Sequence, residues 1–244
     1  GLKNEVIGIT KFCVHPLEWR LSKSIIGGTK NINLKKINSL KPDLVIANKE
    51  ENVKEDILNL SEDCNVLLTD INDLEGALET IKVIGRFTGK AAKSCTIAEE
   101  IEKSFEKLAK SKSGKKIEAA YFIWQKPYMA AGGDTFIDAM MECCGLNNVF
   151  KSMKRYPEVS LTDVARSGCK FLLLSSEPFP FKDKHLLEIQ NRLPGVKVVL
   201  VDGEMFSWYG SRLLKAAPYL FHLRSVLVTS ASGFFLLGYK MFLS

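Results

Sequence analysis

The segment covering residues 34–48 constrains the fold more than any other part of the chain. Leu34, Ile37 and Leu40 recur at three-residue spacing, which is close enough to the helical period to form an apolar stripe. A Lys-Pro-Asp break follows, and residues 44–47 then form a short continuous apolar run. Such a run is typical of a parallel strand that is covered on both faces. The segment therefore predicts a helix that leads into a buried strand, which is the repeating element of an α/β protein.

The same alternation of short apolar runs and amphipathic stretches extends along most of the chain. It continues to about residue 89 and begins again near residue 118, which predicts parallel sheets covered by helices. Between these halves, residues 90–110 combine one apolar stripe with a charged opposite face, and a Ser-Lys-Ser-Gly break follows. We predict one long helix that links two lobes. A further crossover helix in a continuous sheet is the alternative.

Composition and local motifs exclude several classes of function. The chain has a net charge of +6, but its lysines are dispersed and not interleaved with aromatic residues, so we predict no nucleic-acid partner. Its six cysteines show no Cys-x-x-Cys spacing, and we predict no metal site. No Gly-x-Ser-x-Gly turn surrounds the serine pair at 175–176, and the glycine pair at 132–133 is not followed by the Lys-Ser/Thr of a nucleotide loop. We therefore predict that the chain is not an enzyme.

Four segments of the chain resemble those of a known family. They are residues 10–16 (TKFCVHP), 40–48 (LKPDLVIAN), 124–136 (WQKPYMAAGGDTF) and 203–212 (GEMFSWYGSR). These segments resemble the periplasmic binding proteins of iron-siderophore and cobalamin ABC importers, the helical-backbone metal receptors, and above all their cobalamin-binding-like branch. The resemblance covers residues 1 to about 219. It implies an α/β fold with two Rossmann-like lobes, each with a parallel sheet, joined by a single long backbone helix.

The resemblance also implies a division of the chain into four segments. They are an N-terminal lobe at 1–89, a linker helix at 90–111, a C-terminal lobe at 112–224 and an atypical hydrophobic tail at 225–244. Because the family has a strand and a helix before the position of residue 1, we expect the first strand and helix of the N-terminal lobe to be missing. The uncharged part of the tail is shorter than the roughly 20 apolar residues of a membrane span. We interpret the tail as an aberrant C-terminus, with a membrane anchor as the alternative.

Loops that follow the carboxyl ends of the predicted strands form the candidate binding site, because ligands of α/β proteins bind at that edge of the sheet. Aromatic rings in such loops suit a broad, partly apolar ligand, and lysines suit carboxylates or amide oxygens at its periphery. The predicted ligand-binding residues are Thr10, Lys11, Phe12, Gly28, Thr29, Asn48 and Lys49 in the first lobe, and Trp124, Lys126, Tyr128, Met129, Phe206, Trp208 and Tyr209 in the second.

We predict a substrate-binding protein that captures a cobalamin-like corrinoid in an inter-lobe cleft and delivers it to an ABC transporter permease. The metal chelate is the transported ligand, and no further cofactor is expected. The resemblance implies docking through one acidic residue on each lobe, for which Glu51 and Glu55 are the candidates in the first lobe and Glu204 in the second. It also implies a periplasmic or membrane-anchored extracytoplasmic location.

Three alternatives remain open at the level of the sequence. The first keeps the same class of protein and changes the ligand to a ferric siderophore or haem. The second is an intracellular corrinoid sensor or carrier. The third, a metal-cluster enzyme of related architecture, requires cysteines that converge on the cleft, and only Cys13 is placed for that role.

Overall fold

The computed structural model describes residues 1–111, 115–231 and 240–241. The chain divides into two compact units, unit 1 at residues 1–71 and unit 2 at residues 72–244. In both units, strands alternate with helices, as the periodicity of the sequence predicts.

Unit 1 contains two pairs of parallel strands, β1 with β2 and β3 with β4. Its elements are β1 (Gly8–Ile9), α1 (Trp19–Ser22), β2 (Ser24–Ile25), α2 (Leu34–Leu40), β3 (Val45–Asn48), α3 (Lys54–Asp63) and β4 (Val66–Thr69). Helix α2 begins after Asn33, whose side chain accepts a hydrogen bond from the Lys36 backbone N–H at 2.9 Å. It ends just before Pro42, because a proline disfavours helical backbone in the residue that precedes it.

Helices α2 and α3 cover one face of the β3–β4 pair. Ile37 of α2, Ala47 of β3 and Leu60 of α3 form the centre of this core. On the other face of β3, Ile46 is 48% exposed. The prediction that this strand is covered on both faces is therefore wrong, because an apolar run alone does not show which layer covers each face of a strand.

Unit 2 is built around a larger sheet. Its elements are α4 (Leu74–Phe87), α5 (Ala91–Ser111), β5 (Ile117–Trp124), β6 (Met129–Ala130), α6 (Phe136–Cys143), β7 (Leu146–Asn148), α7 (Leu161–Arg166), β8 (Phe171–Ser175), α8 (Asp183–Arg192), β9 (Lys197–Val201), α9 (Glu204–Ser207), α10 (Leu213–Ala231) and β10 (Lys240–Met241). In the described part of the unit, the strand order is β10-β9-β8-β5-β6, and β7 also pairs with β5.

The central strands of this sheet end at the same edge. Strand β8 lies between β5 and β9 and is parallel to both, with Leu174 opposite Phe122 and Ser175 opposite Val201. All five residues of β8 are buried, as expected of a central strand covered on both faces. The loops that follow β5, β8 and β9 therefore emerge side by side, and we call this side of the sheet the carboxyl edge.

The long helix predicted for residues 90–110 is present as α5. Its buried side chains Ala98, Ile101, Phe105 and Leu108 form one stripe, and the helix packs against α4 and α10 within unit 2. The predicted division of the chain into four segments, including the linker role of this helix, stays a prediction.

The C-terminal helix α10 continues to Ala231 and so enters the segment predicted as an atypical tail. The rest of that tail, apart from β10, lies outside the described residues. Among the residues that the structure describes, no helix is long and apolar enough to cross a membrane.

Candidate functional site

In unit 1, the loops that follow β1 and β2 form one surface. The Lys11 backbone N–H donates a hydrogen bond to the Gly27 carbonyl at 2.9 Å, and Thr10 beside it is half-buried. Phe12 is 57% exposed, and Lys11 Nζ lies 5.1 Å from the centre of its ring. A Cβ atom on Gly28 would lie 3.3 Å from both the Lys11 Cε and the Phe12 Cε2 atoms. The absence of a side chain at Gly28 thus lets these two side chains approach the backbone closely.

Asn48, at the end of β3, holds the next loop together. Its Oδ1 accepts hydrogen bonds from the backbone N–H groups of Glu50 and Glu51 at 3.0 and 3.1 Å. Its Nδ2 donates to the Thr69 hydroxyl at 3.2 Å, which ties the loop to β4. This side chain therefore has a clear role in the turn, since it replaces backbone partners that a sharp bend leaves unsatisfied.

Two further predicted residues of unit 1 lie beside this turn. Lys49 Nζ forms a 2.5 Å ion pair with the carboxylate of Asp70. The backbone carbonyl of Thr29 accepts a hydrogen bond from Asn52 Nδ2 at 3.0 Å. The structure thus brings Thr29, Asn48 and Lys49 to one side of unit 1, but the charge of Lys49 is paired with a carboxylate of the same unit.

At the carboxyl edge of unit 2, Trp124 ends β5 and is 39% exposed. Its ring meets that of Phe179 edge to face, with 5.6 Å between the ring centres. Phe179 is in the loop that follows β8, so neighbouring strands supply the two rings. Their contact brings the end of β5 and the loop that follows β8 together at the carboxyl edge.

The other predicted residues after β5 differ in their surroundings. Lys126 is exposed. Tyr128 stacks on the buried Phe122 with 5.2 Å between the ring centres, and it packs against the core of unit 2. Met129 is half-buried in strand β6. Lys126 is therefore the most accessible of the three predicted residues.

Trp208 follows α9 and is held by the loop that follows β8. Its Nε1 donates a hydrogen bond to Glu177 Oε1 at 2.7 Å, and the Ser207 hydroxyl donates to the same oxygen at 2.7 Å. The guanidinium of Arg212 lies 5.4 Å from the centre of the Trp208 ring and forms a 2.8 Å ion pair with Glu204. The indole is thus held at its edge by a carboxylate and at its face by a cation.

Glu177 lies in a post-strand loop of the predicted site, but it is not among the predicted ligand-binding residues. Burial raises the pKa of its carboxyl, and the negative charges of Glu204 and Asp202 act in the same direction. The hydrogen bonds from Ser207 and Trp208 oppose this rise in pKa. The only sequence signal for Glu177 is its position directly after a buried strand, because its partners lie about thirty residues away in the chain.

Phe206 and Tyr209 flank Trp208 but have different environments. Phe206 is fully buried, and its ring centre lies 4.9 Å from that of Tyr121 and 6.4 Å from that of Tyr219. We therefore correct its assignment as a ligand-binding residue, because α9 turns this ring into the core. Tyr209 is partly exposed and meets Phe136 edge to face at 5.4 Å.

Four partly exposed aromatic residues thus belong to the carboxyl edge of unit 2. The loop at 177–179 contacts two of them, because Phe179 packs against Trp124 and Glu177 bonds to Trp208. We call this set the aromatic wall. It consists of Trp124, Phe179, Trp208 and Tyr209.

A family model described as periplasmic binding protein matches residues 1–172, which is more than half of the chain. The chain belongs to the periplasmic binding protein family. Members of this family are binding proteins, which confirms the prediction that the chain is not an enzyme.

Two curated relatives of this periplasmic binding protein have informative names. One is the uncharacterized ABC transporter substrate-binding lipoprotein YvrC of Bacillus subtilis (strain 168), which is 27% identical over 175 residues, covering 68% of this chain and 54% of that protein. The chain thus spans about half the length of this relative. The other is the vitamin B12-binding protein of Vibrio parahaemolyticus, which is 24% identical over 201 residues, covering 81% of this chain and 72% of that protein.

A solved structure has a similar fold. It is the periplasmic heme-binding protein RhuT from Roseiflexus sp. RS-1, with a TM-score of 0.76 and 17% identity over 92% of this chain and 90% of that one. This similarity confirms the α/β fold with parallel sheets that the sequence predicts.

The acidic residues proposed for docking in this periplasmic binding protein are not equivalent. Both Glu51, in the turn before α3, and Glu55, in the first turn of α3, are exposed. Glu204, in contrast, is only partly exposed and is paired with Arg212. A partner's arginine would have to compete with this internal ion pair, so Glu204 is the weaker candidate.

The described residues 1–111, 115–231 and 240–241 contain no group of three or more His, Cys, Asp or Glu side chains that could hold a metal ion. All six cysteines lie in this part of the protein, and none of them forms a disulfide.

A groove of about 650 Å³ also lies within unit 2, where Leu78 of α4 and Phe105 of α5 are part of its lining. None of the predicted site residues lines it. Its position between helices differs from that of the aromatic wall, to which the post-strand loops contribute, and we place the candidate site at the wall for this reason.

Proposed function

We propose that this periplasmic binding protein is the substrate-binding component of an ABC importer, and that it captures a cobalamin-like corrinoid in the predicted cleft and delivers it to the permease. The observation that carries the proposal is the aromatic wall of unit 2. Exposed aromatic rings lose contact with water when a broad ring-shaped ligand covers them, and they can stack on such a ligand. The vitamin B12-binding relative supports the choice of ligand.

The charges around the wall support a ligand with an uncharged ring face. The positive charge of Arg212 beside Trp208 is already compensated by Glu204. This part of the wall therefore favours shape and apolar contact over attraction of an anion. A corrinoid, whose ring bears neutral amide groups at its periphery, fits this arrangement better than a strongly anionic siderophore does.

Haem is the second candidate ligand. The exposed Lys126 follows Trp124 closely in the chain and could pair with a carboxylate at the edge of a ring-shaped ligand. Haem carries two such carboxylates. The similar fold of a heme-binding protein is compatible with this alternative.

We also propose an extracytoplasmic location and docking on a permease through Glu51 and Glu55. The location is supported by the family and by the name of the lipoprotein relative. Docking is supported by the exposure of both residues, one just before α3 and one in its first turn.

Titration calorimetry of the purified protein with cyanocobalamin, and separately with hemin, tests the proposed function. We expect cyanocobalamin to bind more tightly than hemin. Replacing either Trp124 or Trp208 by alanine should weaken binding by about 2 kcal/mol or more, as at other aromatic hot spots, which corresponds to roughly 30-fold in affinity. Trp19→Ala is the matched control, because it removes an indole in unit 1 that is not part of the predicted site.

Three outcomes would change the proposal. Binding of hemin alone would replace the corrinoid by haem. Wild-type affinity in both Trp124→Ala and Trp208→Ala would remove the aromatic wall from the site. The absence of binding to either compound would reject ring-shaped metal chelates as ligands.

A further inference from the structure

We propose that Glu177 is a positioning residue that fixes the orientation of the Trp208 indole and thereby sets the ring surface that the ligand meets. This inference rests on the proposed function, since it assigns a role within the same site. Glu177 is not part of the aromatic surface itself. Its role is to act on the ligand through Trp208.

Two hydrogen bonds converge on Glu177 Oε1. An indole has a single N–H group, and that of Trp208 is directed to Oε1 at 2.7 Å. The Ser207 hydroxyl reaches the same oxygen at 2.7 Å. Hydrogen bonds to an ionised acceptor are stronger than neutral ones. A 180° flip of the indole would break its bond to Glu177, so the carboxylate selects one orientation of the ring.

The position of Glu177 is itself fixed from the core. Ser175 Oγ accepts a hydrogen bond from the buried Tyr121 hydroxyl at 2.9 Å and donates to the Glu177 backbone carbonyl at 2.5 Å. A Cβ atom on Gly203 would lie only 2.6 Å from Glu177 Cγ. The side chain of Glu177 therefore fills space that any residue larger than glycine at position 203 would occupy. These contacts connect the orientation of the partly exposed Trp208 ring to groups inside the sheet.

The face of the Trp208 ring is in contact with a cation. Arg212 lies over the ring, and Glu204 holds Arg212 by an ion pair. Because the indole N–H is already used by Glu177, Trp208 has no polar group left to offer a ligand. The part of the ligand that covers Trp208 should therefore present an apolar ring face, without a hydrogen-bond acceptor directed at the indole nitrogen.

The environment of the carboxylate agrees with a positioning role. Burial raises the pKa of Glu177, and the titratable groups whose charges act on it include Asp202 and Glu204, while Tyr121 also interacts with it. Placing a carboxyl group in such surroundings has an energetic cost. The two short hydrogen bonds offset this cost only while Ser207 and Trp208 keep their places.

The first arm of the test uses the protein without ligand. In a background with Trp19→Phe and Trp124→Phe, Trp208 is the only tryptophan of the chain. Time-resolved fluorescence anisotropy then reports the motion of its ring. We expect Glu177→Ala to increase the fast motion of the indole and Glu177→Gln to restore most of the rigidity, because the glutamine carbonyl can accept the same two hydrogen bonds. Equal motion in Glu177→Ala and the parent protein would overturn the proposal.

The second arm measures affinity for cyanocobalamin and hemin in the protein that retains its other tryptophans. Glu177→Ala should weaken binding about tenfold, in line with the loss of a hydrogen bond to a charged group. In a Trp208→Ala background the same substitution should have no further effect, because Glu177 acts through the indole. An equal loss of affinity in both backgrounds would overturn the proposal.

Circular dichroism shows whether Glu177→Ala remains folded. If it does not, Trp208→Phe tests the same hydrogen bond by removing its donor, since it keeps an aromatic ring but removes the N–H group. We expect Trp208→Phe to bind more weakly than the parent protein, and wild-type affinity would contradict the inference. If the parent protein binds neither compound, the proposed function fails, while the anisotropy measurements still decide whether Glu177 positions the ring.

Discussion

Replacing Phe206 by alanine should destabilise unit 2, even though the residue lies only two positions before Trp208 of the aromatic wall. Its side chain is fully buried between Tyr121 and Tyr219. Truncation to alanine removes the apolar area of the ring and leaves a cavity that the rigid sheet cannot fill. Substitutions of this kind cost about 3–5 kcal/mol. An effect of that size is a large fraction of the stability of a typical domain.

Urea denaturation followed by far-UV circular dichroism measures this change in the free energy of unfolding. Phe221→Ala is a matched control, because Phe221 lies on α10 in the same unit but is 53% exposed. We expect the control to lose about 1 kcal/mol or less, since much of its ring is already in contact with water. A loss in Phe206→Ala that is no larger than that of the control would refute the assignment of Phe206 to the core.

Two further predictions concern stability and thiol chemistry. Gly145→Ala should lower the melting temperature more than Gly168→Ala. Both glycines have positive φ angles of 76–77°, but only at Gly145 would a Cβ atom clash, because it would lie 2.1 Å from Arg224 Nη1. Equal changes in melting temperature would show that backbone strain alone decides the cost. Thiol labelling followed by mass spectrometry should modify the exposed Cys95 quickly and leave Cys169 unmodified until the protein unfolds, because burial raises the pKa of the Cys169 thiol to about 12 and keeps it in the unreactive protonated form. Rapid labelling of Cys169 in the folded protein would contradict this expectation.

Much of the fold follows from local patterns. Helix α2 and strand β3 can be predicted because a three-residue apolar spacing, a proline break and a short apolar run stand next to one another. Helix α5 is long enough for its apolar stripe to be unmistakable. The two-residue strand β6 and the four-residue helix α9 have no such pattern, because each contains only about one period of its repeat.

The candidate site shows the same limit at the level of single side chains. Trp124 can be assigned to the carboxyl edge because it directly follows a predicted strand, and the structure extends that strand by one residue to include it. The orientation of Phe206 relative to Trp208 depends on one turn of α9, and the sequence alone does not reveal that turn. Glu177 depends on partners that are distant in the chain, and contacts of that kind leave no periodic signal.

The connection between core and wall has a consequence for the way unit 2 would bind its ligand. The loop that holds Trp208 is tied through Ser175 to Tyr121, and Gly203 lets Glu177 approach closely. A wall that is held in place before the ligand arrives has little conformational entropy left to lose on binding. Affinity then depends on how well the ligand fits a given ring surface, and less on the ordering of loops. Selectivity between corrinoid and haem should therefore reside mainly in the orientation of these rings and in the groups at their edge, such as Lys126.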